Sequence, residues 1–329
     1  MTTSAPPRVL RTVTLNTGYD DYYTVSGLDW GGVGTMHGWR SVCSGKGVSC
    51  ARTAVALGLP TVAYALVGAE DEAEYAARLA AEGIDHRLVT VRGRTRHNLT
   101  LVDGTGARVA AHFVGAGYAL DGPADVAPLV ATVLADVRPG DVVTLNGSTP
   151  TGLPATTWAD LARALLSRGA QVVVDAQKDA LVAALAVPGV LAFKPNDDEI
   201  LALPAVAAAE PAGRIRAALD TLAATGTRLP LVSLGGDGVA LLADGRELRG
   251  SCPVAQPVQS VMAGDAFVAG LAWGALSSDD PLAWARHGLA AAAAHVAGLA
   301  GAALRERALA NLAEVRIGPR TDTTAPTTM

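Results

Sequence analysis

Hydrophobic positions along the chain follow two rhythms. From Val126 onward, stretches with helical spacing alternate with short apolar runs at Val142 to Leu145, Gln171 to Val174, Val190 to Phe193 and Leu229 to Leu234. Unbroken apolar runs of that length, set between helical patterns, read as strands covered on both faces. Their alternation predicts βαβ units: an α/β fold with a mostly parallel sheet and helices on both sides of it. Earlier in the chain, Leu10 to Asn16, Thr61 to Val67 and Asp85 to Val91 read as strands. Gly45 to Gly58 (with Val48, Ala51, Val55 and Leu57 on one face) and Asp71 to Glu82 read as helices. Asp237-Gly238 and Asp244-Gly245 predict a short antiparallel meander. Asp265 to Leu276 and Pro281 to Ala297 predict closing helices, and the Thr/Pro-rich 316–329 segment a disordered tail.

Two polar stretches, about Asp20 to Val42 and Arg96 to Phe113, break this rhythm. Each alternates like a half-exposed hairpin, the second around the turn signal Asp103-Gly104-Thr105-Gly106. They are expected to form one small sheet inserted into a single domain spanning 1–329. A small sheet over the carboxyl ends of a parallel sheet makes a lid on the usual ligand crevice.

Composition narrows the function. Half of the 329 residues are hydrophobic and 17% are charged, enough for a large core. A net charge of -5, with basic residues occurring singly, argues against nucleic-acid or anionic-membrane partners. Three cysteines, Cys43, Cys50 and Cys252, form an odd set without metal-ligand spacing. That suits a reducing, cytoplasmic setting. Met1 to Val9 has no signal-peptide apolar stretch, and Leu289 to Ala303 is too short and interrupted to span a bilayer. The six histidines are scattered; none is assigned to chemistry, and only His97 and His112, on the expected lid, merit testing.

The candidate chemistry gathers in loops that follow strands. In Gln259 to Gly270, Ala263 and Gly264 precede Asp265 at a helix start. Helix-start N–H groups attract anions, and small residues admit a phosphate to them. A carboxylate beside such a cradle can take a hydroxyl proton; the plain alternative is a capping acid. Lys194-Pro195-Asn196 with Glu199 follows another strand. Asn196 and Glu199 share one face of a turn and offer oxygen ligands of the kind that hold Mg²⁺ through water. Ser148, in Asn146 to Gly152, is placed to donate to a phosphate. Ser44-Gly45-Lys46-Gly47 opens a helix but does not meet the Walker pattern, and no Gly-x-Gly-x-x-Gly occurs. Ser233 to Gly238 is a strand end and tight turn, and Asp175 closes a strand at the same sheet edge.

Taken in order, these motifs resemble the phosphofructokinase B (ribokinase-like) carbohydrate kinases. Gly45-Lys46-Gly47 with Ala51-Arg52 is similar to that family's N-terminal glycine signature, Asn196 with Glu199 to its NxxE element, and Ala263-Gly264-Asp265 to its C-terminal signature. The likeness runs from about Val13 to Ala300. It is strongest to the phosphosugar branch, 1-phosphofructokinase and tagatose-6-phosphate kinase, through Thr14-Leu15-Asn16 with Asp20, Thr95-Arg96 with Asn98, and Gly147-Ser148 with Gly152. The resemblance implies a three-layer α/β/α sandwich with a β-lid, and ATP-dependent phosphorylation of a sugar hydroxyl on a ketohexose phosphate. Asp265 is the implied base, in an anion hole made with Met262, Ala263 and Gly264. Asp20, Gly45, Lys46, Ser49, Arg96, Asn98 and Ser148 are implied on the substrate side. Lys194, Asn196, Ser233, Gly235 and Gly238 are implied around ATP, with Asn196 and Glu199 acting on its Mg²⁺. The His287 to Ala294 helix is a candidate adenine wall. A homodimer with lids paired edge to edge is also expected.

The chain departs from that pattern at Met262, where the family has glycine, and at Ser44 and Ser49, where it has glycine and asparagine. Thr35 stands where a basic lid residue is expected, with Arg40 or His37 as substitutes. These changes lie mostly on the acceptor side. They leave two alternatives: a kinase of an unphosphorylated sugar or nucleoside, and a weakly catalytic sensor of sugar phosphate or nucleotide.

Overall fold

The computed structural model describes residues 7–26, 31–103 and 109–319. The turn expected at Gly104 to Gly106 lies outside these residues. The chain opens with β1 (Leu10–Thr14), β2 (Gly18–Ser26), β3 (Thr35–Ser44) and α1 (Lys46–Ala56). There follow β4 (Thr61–Gly68), α2 (Glu72–Ala81), β5 (Asp85–Val91), β6 (Arg96–Asp103) and β7 (Val109–Phe113). The α/β rhythm then takes over with α3 (Ala127–Asp136), β8 (Val142–Asn146), α4 (Thr157–Leu166), β9 (Gln171–Asp175), α5 (Lys178–Ala184) and β10 (Ala192–Phe193). A single turn, α6 (Pro204–Ala207), precedes α7 (Arg214–Ala224), β11 (Leu229–Ser233), β12 (Val239–Ala243) and β13 (Arg246–Ser251). The chain closes with α8 (Ala263–Ser277), α9 (Pro281–Val296), α10 (Gly301–Glu314) and β14 (Arg316–Pro319).

One ten-stranded sheet runs β14–β13–β12–β11–β10–β9–β8–β1–β4–β5, and a four-stranded sheet runs β3–β2–β6–β7. From β5 to β11 the large sheet is parallel; the β12–β14 end is antiparallel. Alternate residues of the same strands face two cores. Val172, Val174, Phe193 and Val232 pack with α3, α4, α5 and α7 on one side. Val173, Ala192, Leu231 and Val239 pack with α1, α8, α9 and α10 on the other. Burial on both faces is why these strands read as continuous apolar runs.

One expectation needs correction, and one helix is additional to the sequence reading. Residues Arg316–Pro319, placed in the disordered tail, form β14 against β13, with Ile317 packed on the core. The long-range partner, not local composition, orders them; residues 320–329 lie outside the description. Helix α10, which the sequence pattern did not single out, buries Leu304, Ala308 and Asn311. The small sheet has the expected strands: two antiparallel pairs, β2 with β3 and β6 with β7, joined through the parallel pairing of β2 with β6.

The amino and carboxyl edges of the parallel sheet differ in kind. At the amino edge, Asp141 accepts from Arg11 Nε (2.8 Å), Val9 N (2.9 Å) and Arg138 N (3.0 Å), while Arg11 Nη1 donates to Tyr64 Oη (2.6 Å) and Tyr64 to Asp136 (2.8 Å). Burial alone lowers the Arg11 guanidinium, but Asp141 and Tyr64 outweigh it and leave it raised. A buried pair left without one partner costs about 3–5 kcal/mol. Asp141→Ala strands three donors, whereas Arg11→Met leaves Asp141 two. Chemical denaturation is therefore expected to show both variants destabilised, Asp141→Ala by clearly more. Equal losses would contradict this account of the edge.

Candidate active site

At the carboxyl edge, buried polar atoms lack partners. Thr14 Oγ1, Asn16 Oδ1, Asn146 Oδ1 and Asp175 Oδ2 have no hydrogen bond among the described residues. They sit at the ends of β1, β8 and β9, or just beyond. Unsatisfied buried groups are rare in native proteins and concentrate where a ligand completes them. This is the edge where α/β sheets bind ligands.

Asp265 lies in the first turn of α8, which starts after Met262 in a left-handed conformation (φ 64°, ψ 6°). The Ala263 N–H donates to Ser260 O and the Asp265 N–H to Met262 O, while the Met262 and Gly264 N–H groups have no partner among the described residues and stay open at the helix start. The Asp265 side chain is buried, yet no donor among the described residues meets its carboxylate. Burial pushes its pKa up, and nearby Asp175 adds to this; Lys46 and Lys194 oppose it, leaving a value of about 7. Lys46 Nζ is 3.2 Å from Asp175 Oδ1 and 3.5 Å from Glu199 Oε1. Lys194 Nζ is 3.3 Å from the same Asp175 oxygen. A Cβ on Gly264 would stand 3.4 Å from Lys194 Nζ, so that ammonium flanks the open Gly264 amide. Burial lowers Lys46, but Asp175, Glu199 and Asp265 together raise it, so it stays charged. A carboxylate titrating near neutrality, two ammonium groups and an open amide thus share one pocket. Such a set can accept a proton while stabilising a transferred anion.

The lid and the loops after β1 and β8 supply the second wall. Asp20 Oδ1 accepts from Asn98 Nδ2 (2.7 Å) across β2 and β6. Arg96 donates to three backbone carbonyls: Thr17 (3.2 Å), Gly115 (3.3 Å) and Asn16 (3.2 Å). Burial lowers its pKa, offset in part by Asp20, and no carboxylate forms a salt bridge with it among the described residues. Its positive charge is oriented but not neutralised. Ser148 Oγ accepts from Asn16 Nδ2 (3.0 Å). Gly45 caps α1 at φ 119°, where a Cβ would lie 2.8 Å from Thr14 Cγ2. Ser49, in α1, donates to Met262 Sδ at 3.2 Å. Arg40, a candidate for the missing basic lid residue, stacks over Tyr22 at 3.8 Å, while His37 binds Ser26 and Thr35 is exposed.

Across the pocket, Asn196 and Glu199 hold each other: Glu199 N donates to Asn196 Oδ1 (2.7 Å) and Asn196 N to Glu199 Oε2 (3.0 Å). Gln177 Nε2 donates to Glu199 Oε1 (2.7 Å). Ser233 lies beside them, its N–H on Pro195 O. Gly235 (φ 56°) has open space before it, whereas a Cβ on Gly238 would meet Gly250 O at 2.1 Å. Gly235 faces free volume; Gly238 is demanded by the chain crossing. No cluster of three or more His, Cys, Asp or Glu side chains suited to a metal occurs among the described residues. Mg²⁺ needs no such cage when phosphates and waters complete its shell. Two carboxylates bridged by the Lys46 ammonium, one with its buried Asp175 Oδ2 unsatisfied, fit that looser demand. A cavity of about 320 Å³ lies nearer the C-terminus, lined by Val254, Gln256, Val258, Ala293, Ala297 and Arg307. Of the expected adenine wall it takes Ala293; His287 instead packs edge-on against Trp273.

Sequence reading placed Asp175 at this edge without a role; here it is the shared partner of both lysines. It missed His295, buried in α9, whose Nε2 is 2.8 Å from Val261 O and whose carbonyl accepts from Gln259 Nε2 (3.2 Å). Among the described residues no helix is long and apolar enough to cross a membrane.

Comparisons with known proteins bear on the family and the fold. Residues 20–304 match the profile of the pfkB family carbohydrate kinases. A 1-phosphofructokinase of Rhodobacter capsulatus is 35% identical over 273 residues, covering 80% of this chain and 82% of that protein. The phosphofructokinase-2 of Escherichia coli, solved with substrates and products, superposes with a TM-score of 0.82 at 24% identity over 93% of this chain and 98% of that one. An Arabidopsis thaliana ribokinase complexed with ribose and ATP does so with a TM-score of 0.69 at 21% identity, covering 94% and 99%. The fold is ribokinase-like, and by sequence the chain belongs to the pfkB family of carbohydrate kinases.

Proposed function

We propose that this kinase transfers the γ-phosphoryl group of ATP to a hydroxyl of a ketohexose phosphate, with fructose 1-phosphate as the first acceptor to test. The observation that carries the reading is Asp265: a buried carboxylate without a donor, at a helix start, held near neutrality between two lysines. In the proposed step the acceptor oxygen attacks the γ-phosphorus, its proton passes to Asp265, and the bond from phosphorus to the ADP oxygen breaks. Gly264 N–H, Lys46 and Lys194 stabilise the charge on the transferred group. Asn196 and Glu199, with the open Asp175 oxygen nearby, would hold Mg²⁺, which would neutralise charge on the nucleotide phosphates. Arg96, with Ser148, receives the phosphate already on the acceptor, and Asp20 its hydroxyls. The adenine of the nucleotide lies in the cavity beside Ala293 and Val258. The kinship to proteins named 1-phosphofructokinase supports the acceptor class.

We also infer a homodimer through the lid. The strand alternation puts Asp20, Tyr22, Arg40, Asn98 and His112 on the cleft face. Tyr23, Trp39, Leu99, Leu101 and Phe113 fall on the other. Trp39 is 58% exposed and Phe113 47%, so among the described residues nothing covers that part of the second face. Apolar side chains on a face favour face-to-face rather than edge-to-edge contact.

An ADP-release assay across fructose 1-phosphate, fructose 6-phosphate, tagatose 6-phosphate and unphosphorylated sugars is expected to show turnover with a phosphorylated ketohexose; none with any acceptor rejects the proposal. Asp265→Asn is expected to lower kcat by about 10²–10⁴-fold. The wild-type kcat/KM should rise with pH and level off above about 7, as Asp265 loses its proton. Stability moves the other way. The folded pKa exceeds the ordinary carboxylate value, so Asp265 favours folding only while protonated, and that contribution is lost as pH rises from about 4 to 7. Asp265→Asn should therefore be more heat-stable than the wild type at pH 8 and no more stable at pH 4. Arg96→Ala is expected to raise KM for the phosphorylated acceptor at least tenfold with little change in KM for ATP; an unchanged acceptor KM would favour an unphosphorylated substrate. Light scattering should give a dimer mass for the wild type and half of it for Trp39→Glu.

A further inference from the structure

Met262 has a conformation that costs a side-chain-bearing residue energy and glycine nothing. It persists because its surroundings fix the backbone from outside. Val258 N and Gln259 N both donate to Val296 O, His295 Nε2 bonds Val261 O, and Ala263 N donates to Ser260 O. The strain delivers the Met262 side chain to one place. Its sulfur meets the Ser49 hydroxyl at 3.2 Å on the first turns of α1, the helix whose first residue is Lys46. The thioether thus spans from the start of α8, three residues before Asp265, to the start of α1. Ser49, buried, directs its hydroxyl to the sulfur, so neither side chain presents a free donor on that side.

We propose that Met262, held by Ser49, is a specificity-determining residue: an apolar wall beside Asp265 that limits which ketohexose phosphates can present a hydroxyl to it. The inference rests on the kinase reading above and refines its acceptor side. An apolar wall discriminates by shape, on the order of 10–200-fold for a small group gained or lost. Acceptors that place an extra or epimeric hydroxyl against the thioether are excluded by size and by the lack of a hydrogen-bond partner.

The test compares kcat/KM ratios between fructose and tagatose phosphates, and between fructose 1- and 6-phosphate, for the wild type, Met262→Gly, Met262→Leu and Ser49→Ala. Met262→Gly should change at least one ratio tenfold or more in favour of the poorer acceptor. Met262→Leu, which keeps the volume, should stay within about threefold of the wild type. Ser49→Ala, which frees the sulfur, should fall between them and decides the matter if Met262→Gly does not fold. Wild-type turnover with ratios unchanged in both Met262→Gly and Ser49→Ala overturns this inference alone. Absence of wild-type turnover with every acceptor overturns the kinase reading and this inference with it.

Discussion

The site depends on one carboxylate that is not itself placed to react. Asp175, buried at the end of β9, holds the ammonium groups of Lys46 and Lys194 on a single oxygen. Each of the three would be costly to bury alone. Together they draw α1, β9 and the strand end at β10 to a common point. The local count is uneven: Asp175, Glu199 and Asp265 face two lysines. Burial disfavours the charged form of Asp265 and the neighbouring Asp175 adds to this, while the two lysines offset only part of it, so Asp265 sits near neutral pKa. Its basicity comes from its buried position together with the charges that the strand ends bring to it.

The sheet divides stability from chemistry along its length. At the amino ends, Arg11, Asp141, Tyr64 and Asp136 form a closed network. At the carboxyl ends, Thr14, Asn16, Asn146 and Asp175 keep oxygens that no donor among the described residues satisfies. Parallel strands make this possible, since every carboxyl end points the same way and its polar residues converge. An open donor or acceptor of that kind costs folding free energy, which the large two-sided core is able to absorb.

How much of this was legible in the sequence follows from the range of the interactions. Strands β8, β9 and β11 were readable because burial on both faces leaves a local trace, an unbroken apolar run. The lid was readable because one wet face imposes alternation. Strand β14 was not, since its order comes from pairing with β13, and the Thr/Pro composition after it suggests the opposite. Helix α10 was passed over because its Ala-rich pattern contrasts weakly with its flanks. Within the site, the order of motifs pointed to Asp265, Lys194 and Glu199, but not to what joins them. Lys46 meets Asp175 across 129 positions and Ser49 meets Met262 across 213. No local rule of spacing connects pairs so distant. Two of the departures from the family pattern, Met262 and Ser49, looked independent in sequence and are one contact in space.

Strand β2 ties the acceptor to the proposed dimer. Asp20 and Tyr22 face the cleft, and Tyr23, the next residue, joins Trp39 on the outer face with ring centroids 6.5 Å apart. Because side chains alternate along a strand, the same register that aims Asp20 inward aims Tyr23 outward, and a slip of one residue would exchange them. A four-stranded sheet whose outer face leaves Trp39 and Phe113 in water is less well held than one with those side chains covered. A partner on that outer face would fix the twist and register of β2, and so the position of Asp20 over the pocket. Assembly and acceptor binding then become two consequences of the same strand geometry.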